Sequence, residues 1–259
     1  GMLPANVSWA ERMKIARRAG FDEVECATAS GPAEAEEIGR AAADAGIRIH
    51  SVMNASHGKY PLSSPDPAIV AEGVKGLRMS MEQARLWKAD TVLLVPGFVT
   101  PQVRYQEVWE RSAREIRRLL PYAQELKVII TIENVGNRFL LSPIEFGRYV
   151  DEFNSPWLKA YFDVGNIIRY GYPQDWIRTL GKRIVKLHFK DPKVDMQRGG
   201  PPASRPKLLE GDVNWKEVYN ALVETGYRGS ATVELPDGDE EYLRDVARRV
   251  DIILSGGVA

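Results

Sequence analysis

The sequence predicts an α/β chain folded as a parallel (β/α)8 barrel whose first strand is short or missing. Three observations carry this. Short apolar runs alternate with amphipathic stretches along 259 residues, the pattern of repeated βαβ units. No Gly-rich dinucleotide or phosphate loop follows an early strand, which disfavours an open doubly wound sheet. Eight helical stretches accompany only seven clear strand runs, so one strand of an eightfold ring is weak or absent.

Ser8 opens the first helix, over residues 8–19, as its N-cap, with Glu11 three residues later completing a capping box. Before it lies only the segment 3–7, in which Pro4 does not suit a central strand. The first clear strand is 23–26 and its helix 32–45, stopped by Gly46 as a left-handed cap. Strand 47–53 precedes helix 66–88, and strand 91–95 precedes helix 105–126. Strands 128–132, 159–162 and 184–189 lead to shorter helices over 143–153, 173–180 and 215–225. Strand 231–235 leads to the last helix, 239–254. Most strands are continuous aliphatic runs, as expected of parallel strands buried on both faces. No linker or low-complexity tract divides the chain, so residues 1–259 are expected to form one domain, with Gly1 a tag remnant.

Lys plus Arg equal Asp plus Glu at 35 each, giving no electrostatic reason to expect nucleic acid. Cys26 is the only cysteine, which excludes an internal disulfide and a cysteine-based zinc cluster and fits a cytoplasmic location. No apolar run approaches the ~20 residues of a membrane span.

The chemistry gathers at the ends of the late strands. The runs 128–132, 160–162, 184–187 and 231–233 lead into Glu133, Asp163, His188 and Glu234. Successive separations of 30, 25 and 46 residues match two βα repeats and a third with an enlarged loop. Four consecutive strands thus deliver one metal-competent side chain each to the C-terminal face, where barrel active sites lie. Three carboxylates and an imidazole suit a fairly hard divalent ion, Mn2+ first, with Mg2+, Co2+ or Zn2+ as alternatives. Burying these carboxylates together without a cation would be costly.

Glu133-Asn134-Val135, Asp163-Val164-Gly165-Asn166, His188-Phe189-Lys190-Asp191, Glu210-Gly211-Asp212-Val213-Asn214-Trp215 and Val233-Glu234 occur in this order. With them the chain resembles the sugar-phosphate isomerase/epimerase family of xylose-isomerase-like TIM barrels. His57 followed by Pro61-Leu62-Ser63-Ser64-Pro65-Asp66 makes it most similar to the pentulose-phosphate and ketose 3-epimerases. The resemblance implies an isomerase of carbohydrate metabolism acting on a small sugar or sugar phosphate. The metal would chelate the carbonyl and adjacent hydroxyl, and the proton would be abstracted next to the carbonyl through an enediolate. It makes Glu133 and Glu234 both ligands and the acid/base pair, with Asp163 and His188 mainly ligands. A homo-oligomer is a further expectation from the resemblance.

Asn166, His57, Lys190, Arg198 and Glu25 are candidates for substrate binding. Arg198, Arg205 and Lys207 lie in a Gly/Pro-rich loop over 193–207, where a phosphate would find cations and where a solvated loop explains them equally well. His50, within a strand, is expected in the core or pocket wall, Lys59 at the surface, and the six tryptophans between helices and barrel. Three other functions of the same barrel are weighed against this. An inosose dehydratase-like enzyme would begin with the same proton removal and end in loss of a β-hydroxyl. A non-catalytic sugar-binding barrel would not need the acid and base. A DNA-repair endonuclease would need a histidine-rich three-zinc cluster, and the chain has only His50, His57 and His188.

Overall fold

The computed structural model describes residues 1–194, 204 and 206–257. Arg198 and Arg205, two of the expected substrate-loop cations, lie outside the described residues. The described chain runs α1 (Trp9–Ala19), β1 (Glu23–Ala27), α2 (Pro32–Ala45), β2 (Arg48–Met53), α3 (Pro67–Trp87), β3 (Thr91–Leu94), α4 (Tyr105–Leu126) and β4 (Ile129–Glu133). It continues with α5 (Pro143–Asp151), β5 (Leu158–Asp163), α6 (Pro173–Leu180), β6 (Ile184–Phe189), α7 (Trp215–Thr225), β7 (Ser230–Val233) and α8 (Glu240–Leu254). The strands form one seven-stranded sheet in sequence order, and every pair whose register is defined is parallel. Strict alternation, parallel pairing and sequential order are the grammar of a (β/α) barrel. Among the described residues no strand precedes α1, as the weak N-terminal signal leads one to expect.

Residues Gly1–Val24, Glu36–Arg48 and Phe162–Ala259 form one compact unit. In it Ser8 caps α1 by accepting the Glu11 N–H at 3.3 Å. Glu11 does not return the bond as a capping box would. Its carboxylate takes Arg18 at 2.8 Å instead, because a charged partner is the stronger hydrogen bond. The segment before α1 packs Met2, Leu3 and Val7 against Ile15, Ala19 and Leu243, the seam of α1 and α8. Ser230, at the start of β7, donates its hydroxyl to Glu23 at the start of β1.

Strands β5 and β6 are buried on both faces along most of their length, as expected. Side chains alternate along a strand, and the two faces carry different chemistry. Phe162 stacks on Trp176 of α6 with centroids 6.0 Å apart, and Phe189 meets Trp215 of α7 at 4.8 Å. Asp163 and His188, one position away in each strand, therefore turn to the face opposite the helices.

Residues Glu25–Ala35 and Ile49–Tyr161 form the second unit. Its sheet register pairs Thr91 with Ile129 and Glu133 with Tyr161. The loop after β4 folds back through Asn137, which donates to the Gly97 carbonyl at 2.7 Å and accepts the Phe139 N–H. Phe139, buried, lies at the centre of an aromatic group of Tyr105, Trp109 and Tyr149. Its neighbours Arg138 and Leu140 take φ of 60° and 56° to place it there, a left-handed conformation that side chains rarely adopt without such anchoring. Phe139→Ala is expected to lower stability by about 3–5 kcal/mol, read as a shift in the urea midpoint. A shift below about 1 kcal/mol would show that the loop is held without it.

Candidate metal centre

Asp163 ends β5, and its side chain is fully buried. The backbone fixes it twice. The N–H of Val164 continues the ladder to the His188 carbonyl at 3.0 Å. The N–H of Asn166 donates to Asp163 Oδ1 at 2.8 Å. The backbone N–H of Asn166, three residues on, thus holds Oδ1 in an N-cap-like contact, with Oδ2 as the other oxygen. His188, on β6, is buried and places Nδ1 3.9 Å from Asp163 Oδ2 and 3.7 Å from Glu234 Oε2. Glu234 lies one residue past β7, with its N–H bonded to the Phe189 carbonyl at 3.0 Å. Its side chain is 56% exposed, so the cluster has an open side. Glu133, last residue of β4, is 7% exposed. One ligand atom from each of Glu133, Asp163, His188 and Glu234 lies within 4.8 Å of the others.

A cation already sits on two of these groups. The Lys190 ammonium is 2.8 Å from Asp163 Oδ2 and 2.5 Å from Glu234 Oε2. Burial works against its charge, but Asp163 and Glu234 together overcome that and raise its pKa above the ordinary lysine value. Burial pushes the Asp163 carboxyl above its usual range, while Lys190 and His188 pull it back. The donor set therefore calls for positive charge, which is the test a divalent ion must pass. Lys190 reaches in because Gly165 has no side chain. A Cβ there would lie 2.3 Å from Lys190 Cγ and 2.7 Å from its backbone oxygen.

Asp191, next in the chain, points elsewhere. Its carboxylate accepts the Val213 N–H at 3.0 Å and the Trp215 Nε1–H at 2.8 Å, so it closes the loop onto α7. Lys207, at the end of the 193–207 loop, pairs with Asp245 of α8 at 3.0 Å. Asp66 accepts the Ala68 N–H at 2.8 Å and caps α3. The Pro61–Asp66 motif is thus, at its end, a helix start. His50 is buried in β2, as expected of a core or wall group.

His57, expected near the substrate, is placed beside β3, where its Nδ1 accepts the Val95 N–H at 3.3 Å. That bond leaves the proton of the neutral ring on Nε2. Burial lowers the His57 pKa to about 4, against a smaller upward pull from Glu25. Glu25, half-buried on β1, thus acts on His57 through its charge. The structure also brings in residues without a sequence motif. Asn137 ties the loops after β3 and β4, and Gln83 of α3 bonds both the N–H and the carbonyl of Ala29, after β1. Only their burial, invisible in sequence, marks them.

A family model described as xylose isomerase-like TIM barrel matches residues 13–251. L-ribulose-5-phosphate 3-epimerase UlaE of Escherichia coli O1:K1 is 26% identical, over 96% of this chain and 90% of that protein. The solved structure of an L-ribulose 3-epimerase superposes with a TM-score of 0.79 at 18% identity, covering 95% of this chain and 89% of that one. The 3-keto-D-glucoside 4-epimerase YcjR of E. coli gives 0.79 at 12% identity, over 98% and 96%. At these identities the structural likenesses establish the fold.

Two measurements check this geometry. Gly165→Ala is expected to lose about 1–3 kcal/mol by overpacking against Lys190, and a thermal melt matching the parent would refute the contact. The His57 pKa of about 4 lies below the ordinary 6.5 of the unfolded chain. Between those values the unfolded state binds the proton that the folded state refuses, so stability falls as pH drops through that window. His57→Gln is expected to make that fall shallower, and an unchanged slope would show that the ring is solvated.

Proposed function

Because this chain belongs to the xylose isomerase-like TIM barrel family, we propose that it is a metal-dependent 3-epimerase of a ketose or ketose phosphate, with residues 1–259 forming one barrel domain. The observation that supports this is the convergence of three carboxylates and one imidazole from the ends of four successive strands. Glu133, Asp163, His188 and Glu234 would hold the ion, and the mostly oxygen donors favour Mn2+. When bound, the ion would polarise the ketose carbonyl and the neighbouring hydroxyl and so acidify the carbon-bound proton between them.

The remaining chemistry falls to the protein. Inversion at one carbon requires a base on one face of the substrate and an acid on the other. Glu133 and Glu234 take these two roles, coming from β4 and from just past β7, three strands on in the sheet order. Which of the two removes the proton depends on the configuration of the substrate. Asp163, fixed by the Asn166 N–H, is a positioning ligand with no proton to move. Lys190, His57, Asn166 and Glu25 are the described candidates to meet substrate hydroxyls or a phosphate, and the names of the relatives favour screening both substrate forms.

The parent is expected to hold about one equivalent of divalent ion, lost in Glu133→Gln/Asp163→Asn, as read by elemental analysis. With ketoses and their phosphates in deuterated solvent, the loaded protein is expected to exchange the C3 proton, and Glu234→Gln to lose about 10²–10⁴-fold in rate while keeping its circular dichroism. Metal affinity is expected to fall on acidification as the ligands protonate. Absence of metal after reconstitution would overturn the proposal, and a dehydrated product would reassign the reaction to the dehydratase branch.

A further inference from the structure

We infer that Lys190 is a built-in competitor of the metal ion: its ammonium holds the Asp163 and Glu234 oxygens until the ion displaces it. The inference rests on the reading of Glu133, Asp163, His188 and Glu234 as metal ligands. Asp163 has one oxygen, Oδ1, committed to the Asn166 N–H at 2.8 Å. The other, Oδ2, and Glu234 Oε2 are the atoms that face His188 Nδ1, at 3.9 and 3.7 Å. An ion bound to these three atoms at roughly 2.0–2.2 Å has to lie among them. The Lys190 nitrogen is at hydrogen-bond distance from two of the three, 2.8 Å from Oδ2 and 2.5 Å from Oε2. A divalent ion and an ammonium on the same pair of oxygens repel each other across a few ångströms of poorly screened space. One of them leaves.

The surroundings permit the lysine to leave without moving the chain. Its backbone neighbours are pinned, since Asp191 binds Val213 and Trp215 and Val164 binds the His188 carbonyl. Its stem lies against Gly165, and its side chain is 20% exposed, so a route to solvent is open. Four rotatable carbons let the ammonium swing while the backbone stays in place. Lysine here keeps the carboxylates together before the ion arrives, at the expense of apparent affinity, because only the fraction of molecules with the ammonium displaced is competent to bind.

The test is calorimetric titration of Mn2+ into chelator-stripped full-length parent, Lys190→Met and Lys190→Arg, with thermal melts of each with and without Mn2+. Lys190→Met is expected to bind Mn2+ about tenfold more tightly, as follows if the ammonium holds the site about nine-tenths of the time. Its melting temperature without metal is expected to fall, and its rise on adding Mn2+ to exceed that of the parent. Lys190→Arg keeps a monovalent cation in place and is expected to stay near the parent in affinity. Equal or weaker binding by Lys190→Met, with the parent binding normally, would overturn the inference and leave the metal site standing. Failure of all three proteins to bind Mn2+ would overturn the metal-site reading and the inference with it.

Discussion

Like charge held together in a buried place is the constraint on which the site depends. Asp163 is fully buried and Glu133 nearly so, and their ligand atoms share a sphere with Glu234 and His188. Such a set persists only if positive charge or directed hydrogen bonds compensate the lost hydration. The structure supplies both for Asp163. Asn166 gives a backbone N–H, and Lys190 gives an ammonium. The strand ends supply the convergence, since the ladder continues past β5 and β7 through the N–H groups of Val164 and Glu234. The acidic side chains are thus set on hydrogen-bonded backbone at the point where strand becomes loop, and they do not depend on loop conformation for their aim.

The alternation of faces explains how so polar a cluster coexists with a dry core. Phe162 and Phe189 pack outward on Trp176 and Trp215, while Asp163 and His188 turn the other way. Moving either strand by one residue would exchange the two sets, turning Asp163 toward Trp176 or His188 toward Trp215. The aromatic contacts therefore protect the register of the site as well as adding buried area.

Much of this was legible in the sequence because it is periodic. The βα alternation, the left-handed stop at Gly46, whose φ is 64°, and the position of Glu133, Asp163, His188 and Glu234 at strand ends all follow from local pattern. The weak N-terminal strand was legible from Pro4, although not the way Met2, Leu3 and Val7 cover the α1–α8 seam. What was not legible depends on which of several partners a side chain selects. Glu11 takes Arg18 over its own helix N-terminus. Adjacent Lys190 and Asp191 diverge, one to the acidic cluster and the other to Trp215. Lys207 settles on Asp245. Except for Glu11 and Arg18, which lie seven residues apart on one helix, each choice is made by three-dimensional proximity between residues distant in sequence, and residue spacing carries no record of it.

The connection from β6 to α7 has a further consequence for how such an enzyme diversifies. Its two ends are fastened at the root, by Asp191 to Val213 and Trp215, by the Asp212 N–H to the Pro192 carbonyl, and by the Val194 N–H to Asp212 Oδ2. Gly211 makes this closure feasible, since a Cβ there would fall 2.1 Å from Asp191 oxygens. With the base of the loop clamped, the entropy of closing whatever lies between grows only with the logarithm of its length, about 0.6 kcal/mol per doubling. A change of length between the clamped ends therefore carries little penalty for β5 and β6. The clamp thus insulates β5 and β6, which carry the candidate ligands Asp163 and His188, from changes of length in the connection that follows them.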